Sequence, residues 1–259
     1  MRALALAGIL AVSSAAYGQE SVQVKSEVID YKHGDVALQG YLAWNPAIAG
    51  KRPGVMIIHE WKGHGEYVRR RADQLARLGY AAFAADMYGK GVYAKDHDEA
   101  GKLAGAFFKD RKLTRERAAA GLEVLKNHAT CDPTRVAAMG YCFGGMTVLE
   151  MARAGLDVRG VASFHGILAT PEPAKEIKAR VIVFNGKDDK FISAKDILAF
   201  EEEMKGAKAN FEFIAYEGAV HSFTVKEAGD DPSKGMAYNE KADKSSWTKL
   251  ESFLKEVFK

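Results

Sequence analysis

Short, continuous apolar runs alternate along the chain with longer segments in which apolar residues recur at helical spacing. Buried strands that alternate with helices are typical of a mostly parallel sheet covered on both faces. The runs lie at residues 55–58, 81–85, 136–139, 161–164, 181–184 and 211–215, and the helix-like segments lie near residues 66–79, 96–129, 144–154 and 193–205.

Both ends of the chain extend this pattern. Residues 22–29 and 36–42 predict two strands around a turn at residues 32–35, which makes an antiparallel hairpin. We therefore predict an α/β fold in a single domain over residues 19–259, with a doubly wound, mostly parallel sheet and an N-terminal antiparallel hairpin. The last helix presents one apolar face that can close over the sheet, formed by Trp247, Leu250, Phe253, Leu254, Val257 and Phe258.

The first residues have the composition of a secretory signal peptide. Arg2 supplies a positive start, residues 3–16 are almost all apolar or small, and residues 16–18 (AYG) offer a small-x-small cleavage site. The alternative is an uncleaved anchor or a buried first helix, but the apolar run is shorter than the ~20 residues that span a bilayer. We expect residues 1–18 to be removed and the protein to be secreted or periplasmic.

Charge indicates no nucleic-acid partner. The formal net charge is +3 over 259 residues, and it becomes +2 if Arg2 leaves with the signal segment (3 − 1). The basic run at residues 69–71 lies on a segment whose apolar residues Val68, Ala72, Leu75 and Leu78 recur at helical spacing, so we expect its three arginines to face water.

The chain has two cysteines, Cys131 and Cys142, and in an exported protein these could form a disulfide. A predicted strand separates them, which puts them about 20 Å or more apart at roughly 3.3 Å per residue. Because a disulfide requires Cα atoms within about 7 Å of each other, we expect Cys142 to be a free thiol.

Cys142 lies between Gly140 and Gly144, where a predicted strand meets a predicted helix. A nucleophile on such a tight turn needs neighbours without a Cβ atom, and the amides at the helix start favour the reactive thiolate. The alternative is a buried cysteine beside glycines that serve packing.

A cysteine nucleophile needs a base and a group that orients the base. In α/β enzymes with such a turn the chain order is nucleophile, acid, histidine. His221 lies in a loop after the last predicted strand and fits this order, whereas His165 precedes every candidate acid and is interpreted as a structural or rim residue. The acid is Asp188 or Asp189, and spacing alone leaves this choice open.

With these residues in view, the sequence resembles the dienelactone hydrolase family of α/β-hydrolases over residues 25–259. The resemblance implies that Asp189 is the acid, that Glu60 contacts the resting thiol and takes part in switching it to thiolate, and that the N–H groups of Trp61 and Phe143 form the oxyanion hole. The matching segments are residues 58–63 (IHEWKG), 86–91 (DMYGKG), 140–145 (GYCFGG), 186–192 (GKDDKFI), 221–223 (HSF) and 238–247 (YNEKADKSSW).

The chain departs from the family at the two arginines that hold a substrate carboxylate there. Lys90, beside Tyr88, stands near the first position, and Val225 stands at the second, with Lys226 next to it. Lysine lacks the bidentate geometry of arginine. Tyr88 and Lys90 are candidate substrate-binding residues, and solvent exposure is the alternative for both lysines. Dienelactone itself is not the expected substrate.

We therefore expect a monomeric hydrolase that uses a Cys142–His221–Asp189 triad on a small ester or lactone, with no nucleic-acid partner and no membrane association after signal cleavage. No cofactor or metal is implied, because the histidines show no ligand-spaced cluster; His59 and His64 are interpreted as a pocket wall. One alternative is an exported non-hydrolytic protein with a redox-reactive cysteine. Another is a hydrolase of larger substrates, with Trp61, Tyr88, Tyr93, Phe107 and Phe108 in a broad apolar pocket.

Overall fold

The computed structural model describes residues 22–259, so the expected signal segment lies outside the described residues. The described strands are β1 (Lys25–His33), β2 (Val36–Trp44), β3 (Arg52–Ile58), β4 (Ala81–Ala85), β5 (Cys131–Tyr141), β6 (Gly160–Phe164), β7 (Arg180–Gly186) and β8 (Phe211–Tyr216). The described α-helices are α1 (Glu66–Arg77), α2 (His97–Lys109), α3 (Arg111–Asn127), α4 (Phe143–Arg153), α5 (Ala194–Gly206) and α6 (Glu240–Val257), and short 3₁₀ turns cover Lys226–Ala228 and Pro232–Lys234.

The eight strands form one sheet in the order β1-β2-β4-β3-β5-β6-β7-β8. Strands β3 to β8 pair in parallel, whereas β1 pairs with β2, and β2 with β4, in antiparallel fashion. This confirms the predicted fold class, including the N-terminal hairpin. Because β3 to β8 run in the same direction, the loops that follow them meet at one edge of the sheet.

Apolar side chains fill both faces of the sheet. Helices α2, α3, α4 and α5 pack on one face, and helices α1 and α6 pack on the other. Alternate residues of a strand serve opposite faces: Met56 and Ile58 of β3 lie in the first core and Val55 and Ile57 in the second. The near-continuous apolar runs of the sequence follow from this two-sided burial.

The structure corrects two details of the predicted helices. The segment near residues 96–129 is two helices, because Asp110 leaves helical geometry (φ −118°, ψ 90°) and its side chain caps α3 by accepting from the N–H of Leu113. Leu78 is the C-cap residue just after α1, and it is 43% exposed instead of joining the apolar face of the helix. Strand bounds also shift by a few residues; β1, for example, begins at Lys25.

The expectation that residues 69–71 all face water is wrong for Arg71. Its side chain is buried between α1 and α6, where Nη2 lies 2.6 Å from Oδ1 of Asp243. The guanidinium also lies over the ring of Trp247, 5.1 Å from its centroid. Helical spacing defined the face that α1 turns to the sheet, but α6 covers part of the remaining surface and supplies a carboxylate there.

Candidate active site

Three loops at the carboxyl edge of the sheet bring the predicted triad together. Cys142 follows β5, Asp189 follows β7 and His221 follows β8. Nε2 of His221 lies 3.1 Å from Sγ of Cys142, and Nδ1 of His221 lies 2.9 Å from Oδ2 of Asp189. Asp188 makes no side-chain contact with His221 among the described hydrogen bonds, so the geometry selects Asp189.

Cys142 occupies a strained turn between β5 and α4. Its φ of 54° and ψ of −111° lie outside the regions that L-residues normally adopt. A Cβ atom on Gly140 would come closer than 3.0 Å to the backbone of Gly144, and one on Gly144 would come equally close to the carbonyl of Ile58. The two glycines therefore allow the turn that lifts the thiol above the sheet. The thiol is partly exposed, and neither it nor Cys131 forms a disulfide, as predicted.

The electrostatics of His221 favour its imidazolium form. Burial opposes its positive charge, but the charge on the adjacent Cys142 sulfur and the hydrogen bond to Asp189 together raise the pKa of His221 to about 10. Asp189 is itself buried, and its Oδ1 accepts a hydrogen bond from the N–H of Phe191 at 2.9 Å. The carboxylate is thereby fixed in position, and near neutral pH it faces a charged His221 ring.

The loop that carries His221 is held from below by a polar network that the sequence did not predict. Oγ1 of Thr224 contacts Nε2 of His165 at 2.9 Å and accepts from the hydroxyl of Tyr67 at 2.8 Å, while Nη2 of Arg71 donates to the Thr224 carbonyl at 3.1 Å. These partners come from α1 and from the loop after β6. Hydrophobic periodicity in the sequence does not indicate that these side chains contact one another.

His165 is a structural residue and does not lie at the rim. It is fully buried, and its ring packs edge-on against the ring of His221 at a centroid distance of 5.1 Å. Burial, and then the charge of His221, lower the pKa of His165 well below its usual value, so this ring is neutral. His165 thus forms an uncharged wall behind His221.

Glu60 lies in the loop after β3, at the edge of the same site. Its Oε1 is buried without a hydrogen-bond partner among the described residues, and burial raises its pKa to about 7 although the charge of His221 opposes that rise. The expected contact between Glu60 and the resting thiol is not present: the described hydrogen bond of Cys142 Sγ is to His221. The thiol therefore already points to its base.

The N–H groups of Trp61 and Phe143 are available to an oxyanion. Within residues 22–259, neither group donates a hydrogen bond. Phe143 is the first residue of α4, so its N–H also lies at the positive end of the helix dipole. The hydroxyl of Tyr88 donates to the carbonyl of Trp61 at 2.9 Å and thereby orients the Trp61 loop.

The structure does not bring the two candidate substrate-binding residues, Tyr88 and Lys90, into the cleft. Tyr88 is 9% exposed and packs against Phe143 in the core. Lys90 lies against the hairpin, where its Nζ pairs with Oδ2 of Asp30 at 2.6 Å. The loop after β4 runs along the hairpin because its residues bond to β2, and this directs Lys90 away from the triad.

A cleft of about 1070 Å³ opens beside the triad. Glu60, Trp61 and Ser222 line its inner end. His64 belongs to its wall, whereas His59 is buried and donates from Nδ1 to the Glu60 carbonyl at 2.6 Å, so only one of these two histidines is a pocket residue. In the described part of the chain, no group of three His, Cys, Asp or Glu side chains is arranged to hold a metal ion, and no helix could span a membrane.

Comparisons with known proteins agree with the fold and with the family resemblance of the sequence. The chain is similar to the crystal structure of a dienelactone hydrolase-like promiscuous phosphotriesterase from metagenomic libraries, with 33% identity and a TM-score of 0.86 over 91% of this chain and 99% of that one. It is also similar to a solved structure designated m3DLH, with 36% identity and a TM-score of 0.87 over 91% of this chain and 99% of that one. A carboxymethylenebutenolidase homolog of Mus musculus is 25% identical over 79% of this chain and 83% of its own length.

The family model described as "Dienelactone hydrolase family" matches residues 38–258, which include the triad, the Glu60 loop and all strands except β1 and the first residues of β2. The chain belongs to the dienelactone hydrolase family of ester and lactone hydrolases.

Proposed function

We propose that this protein hydrolyses carboxylic esters or lactones through an acyl-enzyme on Cys142. The observation that carries the proposal is the position of His221, whose two ring nitrogens lie 3.1 Å from the Cys142 sulfur and 2.9 Å from the Asp189 carboxylate. This is the arrangement of nucleophile, base and orienting acid that covalent catalysis requires.

In the first half-reaction the Cys142 thiolate attacks the carbonyl carbon, and an S–C bond forms. The carbonyl oxygen becomes an oxyanion, which the N–H groups of Trp61 and Phe143 stabilise. When the C–O bond to the leaving group breaks, the imidazolium of His221 donates its Nε2 proton to the departing oxygen. An alcohol is released from an ester; from a lactone the freed hydroxyl stays on the acyl chain.

In the second half-reaction His221 acts as a base. Acylation removes the negative charge of the Cys142 sulfur, which is the main influence that raises the pKa of His221, so the pKa of His221 falls in the acyl-enzyme. The neutral ring then takes a proton from a water molecule that attacks the thioester. The S–C bond breaks, the carboxylic acid leaves and the thiolate–imidazolium pair is restored.

In the proposed mechanism, the protonation state of Glu60 changes together with the charge of His221. Its carboxylate attracts the imidazolium of His221, and that attraction counteracts the rise in the Glu60 pKa due to burial. When His221 loses its charge in the acyl-enzyme, Glu60 loses this partner and binds a proton more readily. The number of charges in the buried site therefore stays low through the cycle.

Intact-mass spectrometry of the reduced protein, mixed briefly with p-nitrophenyl acetate at neutral pH, tests the mechanism. We expect an acetyl adduct that maps to Cys142, turns over in the wild type, and persists or fails to form in His221→Ala. Cys131→Ala is the matched control, because this second thiol is buried away from the triad and its removal should preserve the adduct.

Absence of both adduct and p-nitrophenol release above the level of Cys142→Ala would refute ester hydrolysis through Cys142. Rapid conversion of Cys142 to sulfenic acid by peroxide, in a protein with no such turnover, would instead favour the redox-reactive alternative.

We also propose that the protein is exported, on the basis of the apolar segment at residues 3–16 and the small residues that follow it. Expression of the full chain in a bacterium should yield a mature protein in the periplasmic fraction whose mass begins at Gln19. A cytoplasmic protein that retains residues 1–18 would contradict export and would leave the hydrolase mechanism unaffected.

A further inference from the structure

The cleft beside the triad is larger than a small lactone needs. Its volume of about 1070 Å³ lies just above the range of about 300–1,000 Å³ that is usual for small-molecule sites. The cleft adjoins the reacting centre, because its lining includes Ser222, next to His221, and the Glu60–Trp61 loop, together with Tyr93 and Met236. A small substrate would leave most of this volume to water.

The inner wall of the cleft is an aromatic pair. Trp61 contributes its indole in addition to its N–H group, and its ring lies 5.1 Å from the ring of His97 at an interplanar angle of 36°. A group that extends from the reacting carbonyl carbon into the cleft meets this aromatic pair in the lining. Such a surface favours apolar and aromatic groups over strongly hydrated ones.

The outer wall presents Tyr93, which is held in place without being buried. Its side chain is 53% exposed, yet its backbone forms a bridge with Gly63, and the adjacent Ala94 N–H donates to the Lys62 carbonyl at 2.8 Å. A Cβ atom on Gly65 would lie 2.7 Å from the Tyr93 ring, so this glycine makes room for it. An aromatic ring that is fixed and half exposed at the edge of a cleft offers apolar contact area at little entropic cost.

The position of His221 indicates which part of the substrate reaches this wall. The leaving oxygen must approach Nε2 of His221, whose ring packs edge-on against Phe191 at a centroid distance of 4.9 Å. Phe191 does not line the cleft, whereas Trp61 and Tyr93 do. Because Trp61 carries both a proposed oxyanion-hole N–H and an indole that lines the cleft, an acyl group whose oxygen is bound at that N–H has the cleft beside it.

The lining next to His221 agrees with an uncharged acyl group. Val225, four residues after His221, is an apolar member of this wall, and Lys226 is directed elsewhere, with its Nζ 5.8 Å from the centroid of the Tyr238 ring. Arg70, which also lines the cleft, is paired with Glu227 at 2.5 Å. An acyl chain along this path has Glu60 at the inner end of the cleft and Trp61, Tyr93 and Val225 in its wall.

We propose that Trp61 and Tyr93 form a subsite for a bulky apolar or aromatic acyl group, and that the preferred substrates are esters of such acids. The inference rests on the proposed Cys142 hydrolase. Of the five aromatic residues that the sequence offers as pocket residues, only Trp61 and Tyr93 remain. Tyr88 and Phe107 are buried in the core, and Phe108 does not line the cleft.

The test is a series of p-nitrophenyl esters with acetyl, butyryl, hexanoyl, octanoyl and benzoyl groups, for which kcat/KM is measured. In the wild type we expect kcat/KM to rise from acetyl to octanoyl and benzoyl. In Tyr93→Ala the ratio of kcat/KM for octanoyl to that for acetyl should fall about tenfold, which corresponds to the loss of about 1.4 kcal/mol of apolar contact with the chain. Tyr93→Phe keeps the ring and should keep the ratio.

Leu198→Ala is the control for exposed apolar surface, because Leu198 is 61% exposed on α5 and lies outside the cleft. It should leave the whole series unchanged. Equal kcat/KM values across the series in the wild type, or an unchanged octanoyl-to-acetyl ratio in Tyr93→Ala, would overturn the subsite. The hydrolase proposal would still stand if the acetyl ester were turned over through Cys142. If the wild type turned over the acetyl ester no faster than Cys142→Ala, both the subsite and the hydrolase proposal would be overturned.

Discussion

Replacement of Glu60 by glutamine should stabilise the protein, and only above the pH at which an ordinary glutamate ionises. Burial raises the pKa of Glu60 from its ordinary value of 4.5 to about 7. Below pH 4.5 the carboxyl carries a proton in both the folded and the unfolded chain. Between pH 4.5 and 7 the unfolded chain releases the proton while the folded chain retains it, so the free energy of unfolding falls as the pH rises.

The size of the effect follows from the same two values. The difference of about 2.5 between them, at 1.36 kcal/mol for each pKa unit, gives about 3 kcal/mol of lost stability once the pH exceeds 7. Glutamine is neutral at every pH and escapes this loss. We therefore expect Glu60→Gln to be more stable than the wild type by about 3 kcal/mol at pH 8, and the gain to shrink below about 1 kcal/mol at pH 4.5.

Urea unfolding under reducing conditions at pH 4.5 and pH 8, followed by tryptophan fluorescence, measures both free energies of unfolding. Glu66→Gln is the matched control, because Glu66 lines the same cleft but its side chain is 94% exposed, so no gain that grows with pH is expected. An equal gain for Glu60→Gln at both pH values, or no gain at pH 8, would refute the argument that burial raises the pKa of Glu60.

Three further substitutions test the geometry of the site. Gly144→Ala should lower the free energy of unfolding by about 3 kcal/mol, because the added Cβ atom would collide with the backbone of β3. The control Gly101→Ala lies in open space on α2 and should raise the free energy of unfolding by up to about 1 kcal/mol in the same urea titration. Tyr88→Phe removes the hydrogen bond to the Trp61 carbonyl and should lower kcat for p-nitrophenyl acetate about fivefold with little change in KM. Asp189→Asn should lower kcat by about 10²- to 10⁴-fold in the same assay while circular dichroism shows a folded protein; unchanged kcat would contradict the orienting role of this carboxylate.

The triad could be predicted from the sequence because local rules determine its parts. Apolar runs mark the strands, the glycines on either side of Cys142 mark a turn that needs them for steric reasons, and the carboxyl ends of parallel strands lie at one edge of a sheet. The choice between Asp188 and Asp189 needed either the family resemblance or the coordinates, since both residues occupy the same turn.

The contacts that could not be predicted depend on elements far apart in the sequence. Arg71 pairs with Asp243 of α6, and Lys90 pairs with Asp30 of the hairpin, at separations of 172 and 60 residues. Hydrophobic periodicity describes one helix or strand relative to its own core face. It contains no information on which charged residue another element will place opposite the polar face.

The backbone strain of the fold is concentrated where the chemistry is proposed. Outside glycine, the described residues with positive φ are Cys142, His165, Ser222 and Lys208. Cys142 is the nucleophile in its turn, His165 packs behind His221, and Ser222 lies in the loop that carries His221. Each such conformation costs of order 1–3 kcal/mol. Glu60 adds, at the same edge, a carboxyl oxygen that is buried without a hydrogen-bond partner among the described residues. Substitutions that relieve this backbone strain should stabilise the fold and weaken the proposed reaction. The strained backbone raises the free energy of the folded state, but it also orients the thiol and its base.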